Sequence, residues 1–131
     1  MNKKGVALLL ALFVLVFVSI MVIAFLDIIT SDLQITNNHL KRTQALYLAD
    51  AGIEYVIYRL ENNKRPNLPD GPVELPSGSG NSYQVTYDYN SGKIISSGKL
   101  ASGETVNIEA KVSVVGSNKP FRVQTLYWKE I

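Results

Sequence analysis

The stretch Val6 to Leu26 reads VALLLALFVLVFVSIMVIAFL, 21 residues with a single polar member, Ser19. As an α-helix it would be about 32 Å long, which matches the ~30 Å hydrocarbon core of a bilayer. Sixteen of its residues are Val, Leu, Ile or Phe. At roughly −0.3 to −0.6 kcal/mol each, they favour membrane insertion by about 5–10 kcal/mol. Apolar helices buried in soluble cores are usually shorter than about 18 residues. A cleaved secretory signal carries an apolar region of about 7–15 residues ending at small residues in an A-x-A pattern. Here the run ends in Phe25, Leu26 and Asp27. The expectation is a single transmembrane helix over 6–26.

Charge orients that helix. Lys3 and Lys4 lie directly before the apolar run, and no positive charge follows it until Lys41. By the positive-inside rule the N-terminus stays in the cytoplasm and the rest of the chain is outside. The formal net charge is +2, and setting Lys3 and Lys4 aside leaves 11 basic and 11 acidic residues. A neutral exported part argues against strong nucleic-acid binding. The absence of cysteine excludes disulfides and thiolate metal sites. The remaining hundred or so residues suffice for one small domain.

Gly5 is the only break between the basic leader (residues 1–5) and the apolar run. The start K-K-G-V-A-L-L-L resembles the leader of type IV pilins and type II secretion pseudopilins. The resemblance implies that a prepilin peptidase cuts between Gly5 and Val6 and that Val6 is then N-methylated. Two positions depart from the major-pilin pattern. Val6 stands where Phe or Met is usual, and Leu10 stands where major pilins carry Glu. Both departures weigh against a major-pilin role more than against the family.

From Val6 to Arg65 there is no proline and one glycine, so nothing in the sequence stops a helix at the membrane surface. Asp27 to Lys41 is rich in Thr, Ser and Asn, mediocre helix formers, and reads as a neck, continuous or frayed. From Thr43 to Leu60, the residues Ala45, Leu48, Ala49, Gly52, Val56 and Leu60 fall on one helical face. Thr43, Asp50, Glu54 and Glu61 fall opposite. Arg59 violates the apolar side and is expected to snorkel. Gly52 costs about 1 kcal/mol against Ala in a helix; close approach of a packed sheet would explain it. On that reading Gly52→Leu is disruptive and Gly52→Ala is tolerated. Helix–sheet packing is assigned to Ala45, Leu48, Gly52 and Val56. The words Q-A-L-Y-L-A-D-A-G-I-E-Y (Gln44 to Tyr55) are similar to the A-x-x-A-E-A-G stretch of PilX-type minor pilins.

Residues 63–82 are Pro- and Gly-rich and are expected to form a surface loop after the 27–62 helix continuation. Alternation over 83–131 predicts an antiparallel meander. Tyr83, Val85, Tyr87 and Tyr89 lie on one face of its first strand. A second strand covers Lys93 to Leu100. A third, Thr105 to Val115, has Val106, Ile108, Ala110, Val112 and Val114 on one face, and a fourth runs from Phe121 to Trp128. The fold class is α+β: a long N-terminal helix, membrane-spanning in its first half, packed on a small antiparallel sheet.

No nucleophile–base pair or catalytic cluster is legible, so an enzyme is not expected, nor a cofactor or metal. His39 reads as facing solvent or headgroups, and Asp88-Tyr-Asn90-Ser-Gly92 as a hairpin turn rather than a cation loop. Lys41 and Arg42 read as solvated or near lipid phosphates. The resemblance implies a minor pilin or pseudopilin, sitting in the cytoplasmic membrane before assembly and in an extracytoplasmic filament afterwards, at or near its tip. Its implied partners are the prepilin peptidase, other pilins or pseudopilins, the inner-membrane assembly machinery and membrane lipid. The rival reading is an unprocessed single-span anchor presenting a small β-rich binding domain.

Overall fold

The computed structural model describes residues 3–131, the side chains of Lys3 and Lys4 excepted; the leader reading on Met1, Asn2 and those two side chains lies outside the described residues. One helix, α1 (Lys3–Asn62), precedes five strands: β1 (Val73–Glu74), β2 (Ser82–Asp88), β3 (Lys93–Lys99), β4 (Thr105–Val115) and β5 (Arg122–Glu130). The chain divides into two units, Met1–His39 and Leu40–Ile131.

In the first unit every residue from Gly5 onward is exposed. The most apolar 18-residue window has a mean hydropathy of 3.3, and none of it is buried. By length and composition this helix can cross a membrane, and it is not a core helix of this chain. The neck is helical throughout, not frayed. Two of its poor helix formers turn their hydroxyls back on the preceding turn. Thr30 Oγ1 donates to the Leu26 carbonyl at 2.8 Å and Ser31 Oγ to that of Asp27 at 2.9 Å. Ser19 does the same to Leu15 inside the apolar run, so the one polar group there carries its own acceptor.

In the second unit the rest of α1 packs on an antiparallel sheet of order β1-β2-β3-β4-β5. The core joins Ala45, Ala49, Ile53, Val56 and Leu60 of the helix to Tyr83, Val85, Ile94, Leu100, Val106, Ile108, Ala110 and Val112. Period 2 in β4 meets period 3.6 in α1, and each buries one face. The C-terminal end of the helix is tied to the sheet by the β4–β5 connection, where Phe121 N donates to the Glu61 carbonyl at 2.8 Å.

Several sequence boundaries change, the end of the second expected strand moving from Leu100 to Lys99 among them. The 63–82 segment is not all loop, because Val73–Glu74 pairs with Tyr83 and Ser82, making five strands where the alternation showed four. β2 ends at Asp88, so Tyr89 belongs to the turn. The last strand runs 122–130 and is bulged opposite Lys111/Val112, which hid its period.

Gly52 is buried against the sheet. A Cβ there would run into Ser96 Oγ, and would lie 2.9 Å from Tyr83 Cδ2 and 3.3 Å from Ser96 Cβ. The expectation that Gly52→Ala is tolerated is therefore revised: a methyl group is accommodated only if Ser96 Oγ and the Tyr83 ring shift. Its overpacking cost of about 1–3 kcal/mol exceeds the gain of about 1 kcal/mol in helix propensity. Ser96 Oγ is itself buried without a hydrogen-bond partner. Ser96→Ala is expected to leave stability unchanged or raise it, and to relieve part of the Gly52→Ala loss. Thermal melts of the two single variants and the double variant would check this. Additive losses would contradict the contact.

Candidate functional site

Gly5, Val6 and Leu10 are on the exposed helix of the first unit. Gly5 is helical with open space around it. Val6 and Leu10 are 38% and 60% exposed. Leu10 shares a shallow apolar groove with Ala7, Ala11 and Val14, where the alanines leave room for a neighbouring helix to approach closely.

The packing residues are in the second unit. Ala45, Gly52 and Val56 are buried and Leu48 is half-buried. Ile53, which the face assignment did not include, is 2% exposed and among the largest buried side chains. Arg59 does not enter the core. Its guanidinium donates to Tyr55 Oη at 2.8 and 3.0 Å and lies over the Tyr55 ring.

Charged groups expected in solvent turn out to be paired. Lys41 Nζ lies 3.2 Å from Glu104 and Arg42 donates to Glu130 at 2.6 Å. Ion pairs this open to solvent contribute little stability each. They do clip the start of this half of the helix to the β3–β4 turn and to the end of β5. The Asp88 carboxylate is occupied by its own turn, accepting from Asn90 N and Ser91 Oγ. Gly92 closes that turn at φ +68. Among the described residues no three His, Asp or Glu side chains gather as a metal site requires.

One charge cluster was not legible. Glu109 alternates outward on β4, yet it is only 7% exposed. Neighbouring strands cover it: Tyr127 Oη donates at 2.7 Å, Lys93 Nζ at 3.1 Å, and Lys129 Nζ lies 3.3 Å away. The register explains the meeting, since Glu109 stands opposite Lys129 on β5 and opposite Ile95 on β3, which sets Tyr127 and Lys93 at diagonal positions on the same face of the sheet. The Tyr127 and Lys93 hydrogen bonds hold its carboxyl at about 2, against an ordinary 4.5, although burial opposes them. Folding thus favours the ionised form. The stability it contributes is complete above about pH 4.5 and is lost as pH falls towards 2. Glu109→Gln is expected to lower the melting temperature at neutral pH and to flatten its fall through that window. Melts from pH 7 to 2 would show it, and equal slopes in both proteins would refute the role.

Comparison with models of known families, with characterised proteins and with solved structures found no match.

Proposed function

We propose that the chain is a minor pilin or pseudopilin: a structural subunit trimmed between Gly5 and Val6, N-methylated at Val6, and built into a type IV pilus-like or type II secretion filament by its N-terminal helix. The observation that carries the reading is the division of labour along α1. From Gly5 to Leu26 it is uncovered and almost entirely apolar, while from Ala45 to Leu60 one face is buried against an antiparallel sheet. Such a helix exchanges lipid for neighbouring helices, and head-to-tail packing of like helices gives an open fibre wherever the rotation between neighbours does not close a ring. The leader K-K-G-V and the A-D-A-G-I-E stretch support the same family. The absence of glutamate at Leu10 supports a place at or near the tip.

In this reading the cytoplasmic membrane holds the subunit first, N-terminus inside and the second unit outside. The prepilin peptidase and the assembly machinery act there, and other pilins or pseudopilins are its neighbours in the filament. The test is the mature N-terminus. Intact-mass and N-terminal analysis of the protein from cells that express a prepilin peptidase should give a chain beginning at methylated Val6. A chain that retains its leader would reject processing and favour the simple membrane anchor presenting a β-rich domain.

A further inference from the structure

Strand β1 is only two residues long, so β2 is unpaired on its outer side beyond Tyr83 among the described residues. The Leu75 N to Asn81 carbonyl bond fixes which groups face that side. Backbone groups alternate along a strand, so those of Tyr83, Val85 and Tyr87 point outward while those of Gln84, Thr86 and Asp88 pair with β3. Continuing the β1 register would set Gly71 opposite Val85, Pro72 opposite Gln84 and Pro69 opposite Tyr87. Pro72 would turn its nitrogen away from β2, but Pro69, opposite Tyr87, has no N–H to give, so the chain's own approach cannot complete the pairing there.

The loop instead stands away from the edge. Tyr89 Oη, donating to the Pro66 carbonyl at 2.8 Å, holds it there. Between loop and edge lies a cavity of 340 Å³, lined by Leu68 and Asp70 on one wall and by Gln84, Val85, Thr86 and Tyr87 on the other. That volume is within the ordinary range of ligand sites.

We propose that this slot receives an extended polypeptide segment, which adds antiparallel to β2 in line with β1. Strand addition of this kind takes affinity from main-chain hydrogen bonds and selectivity from alternate side chains. The segment has no proline opposite Val85 or Tyr87. It carries apolar side chains at those two positions, on the core side where Val85, Tyr87 and Leu68 lie, and a polar or basic one between them, on the side of Gln84 and Thr86, with the Asp70 carboxylate lining the same slot. A saccharide fits less well, because the aromatic surface is already committed. Tyr87 and Tyr89 pack edge to face at 4.9 Å, and the Tyr89 hydroxyl is used on the loop. The proposal goes beyond the filament reading and stands equally for a membrane anchor.

The test uses the full chain in detergent micelles and the end-blocked peptide Thr-Val-Lys-Val-Thr, followed by amide hydrogen exchange. In the free protein Val85 and Tyr87 amides should exchange fast while Gln84 and Thr86 amides are protected. Adding the peptide should slow Val85 and Tyr87 at least tenfold. The same peptide N-methylated at both valines should not. The variant Pro69→Thr/Gly71→Val/Pro72→Thr, which frees the chain's own loop to extend β1, should lose peptide binding. Val85 and Tyr87 amides already protected in the free protein, equal effects of the two peptides, or protection by a chitin tetrasaccharide and not by the peptide would each overturn the proposal.

Discussion

Gly98→Ala is expected to destabilise the second unit more than any other single methyl addition considered. Gly98 lies in β3, buried directly under α1. A Cβ there would run into the Ala45 carbonyl oxygen, and would lie 2.5 Å from Ala49 N and 3.0 Å from Leu48 Cβ. At Gly52 the nearest obstacle is a serine hydroxyl that can turn aside. At Gly98 the obstacles are helix backbone, which cannot. Relief requires the helix to lift from β3, opening the contacts of Ala45 and Ala49. The cost should reach or exceed about 3 kcal/mol, the upper end for overpacked sites. For a domain of this size that is a fall in melting temperature of more than about 12 °C. Gly71→Ala is the control: nothing lies within 4 Å of its Cβ position and its φ is not positive. It should change stability by less than about 0.5 kcal/mol. Thermal unfolding of both variants, full length in the same detergent, decides. Equal midpoints would mean the helix does not sit as close to β3 as described.

The pair Gly98 and Gly52 shows what was legible and what was not. Gly52 stood out because a glycine inside a helical pattern is costly, and the sheet does approach there. Gly98 sits in I-I-S-S-G-K-L, where it looks like any glycine near a turn. Its role depends on which strand lies under the helix, and that is a matter of register between distant segments. The long strand 105–115 was read to the residue because every second position is apolar and one face is dry. The last strand was not, because a bulge shifts the period and both its faces are largely exposed. Glu109 was placed correctly on the outer face, but its burial comes from Lys93, Tyr127 and Lys129 on other strands. No pattern in the chain around it announces those partners. The slot beside β2 was hidden for a related reason. The prolines signal a loop, but only the pairing register reveals that they stand where strand residues would otherwise close the edge.

If the chain is the filament subunit proposed above, Leu10→Glu is expected to move it from few copies near a filament end into the body of the filament, with cleavage after Gly5 unchanged. In the family that the leader resembles, a glutamate at the fifth mature position pairs with the amino terminus of the subunit already above it. A carboxylate in the apolar region without that partner costs about 2.5–3.5 kcal/mol. A subunit that carries it is therefore driven to join beneath another. Leu10 has no charge to satisfy, and it lies exposed in a groove with Ala7, Ala11 and Val14. On the proposed reading the chain could rest in lipid or stand first in a fibre with nothing above it, and its own Val6 amine, still positive if methylated, would accept the glutamate of the next subunit below. Introducing the carboxylate reverses this preference by an energy worth about a hundredfold in partitioning. Purified filaments from cells carrying either form, with this subunit counted by quantitative mass spectrometry against the major component, would measure the shift. A wild-type protein found as the bulk of the shaft, or a copy number unchanged by Leu10→Glu, would end the argument for a tip. A mature terminus still at Val6 in the variant would show that the change acts on assembly rather than on processing.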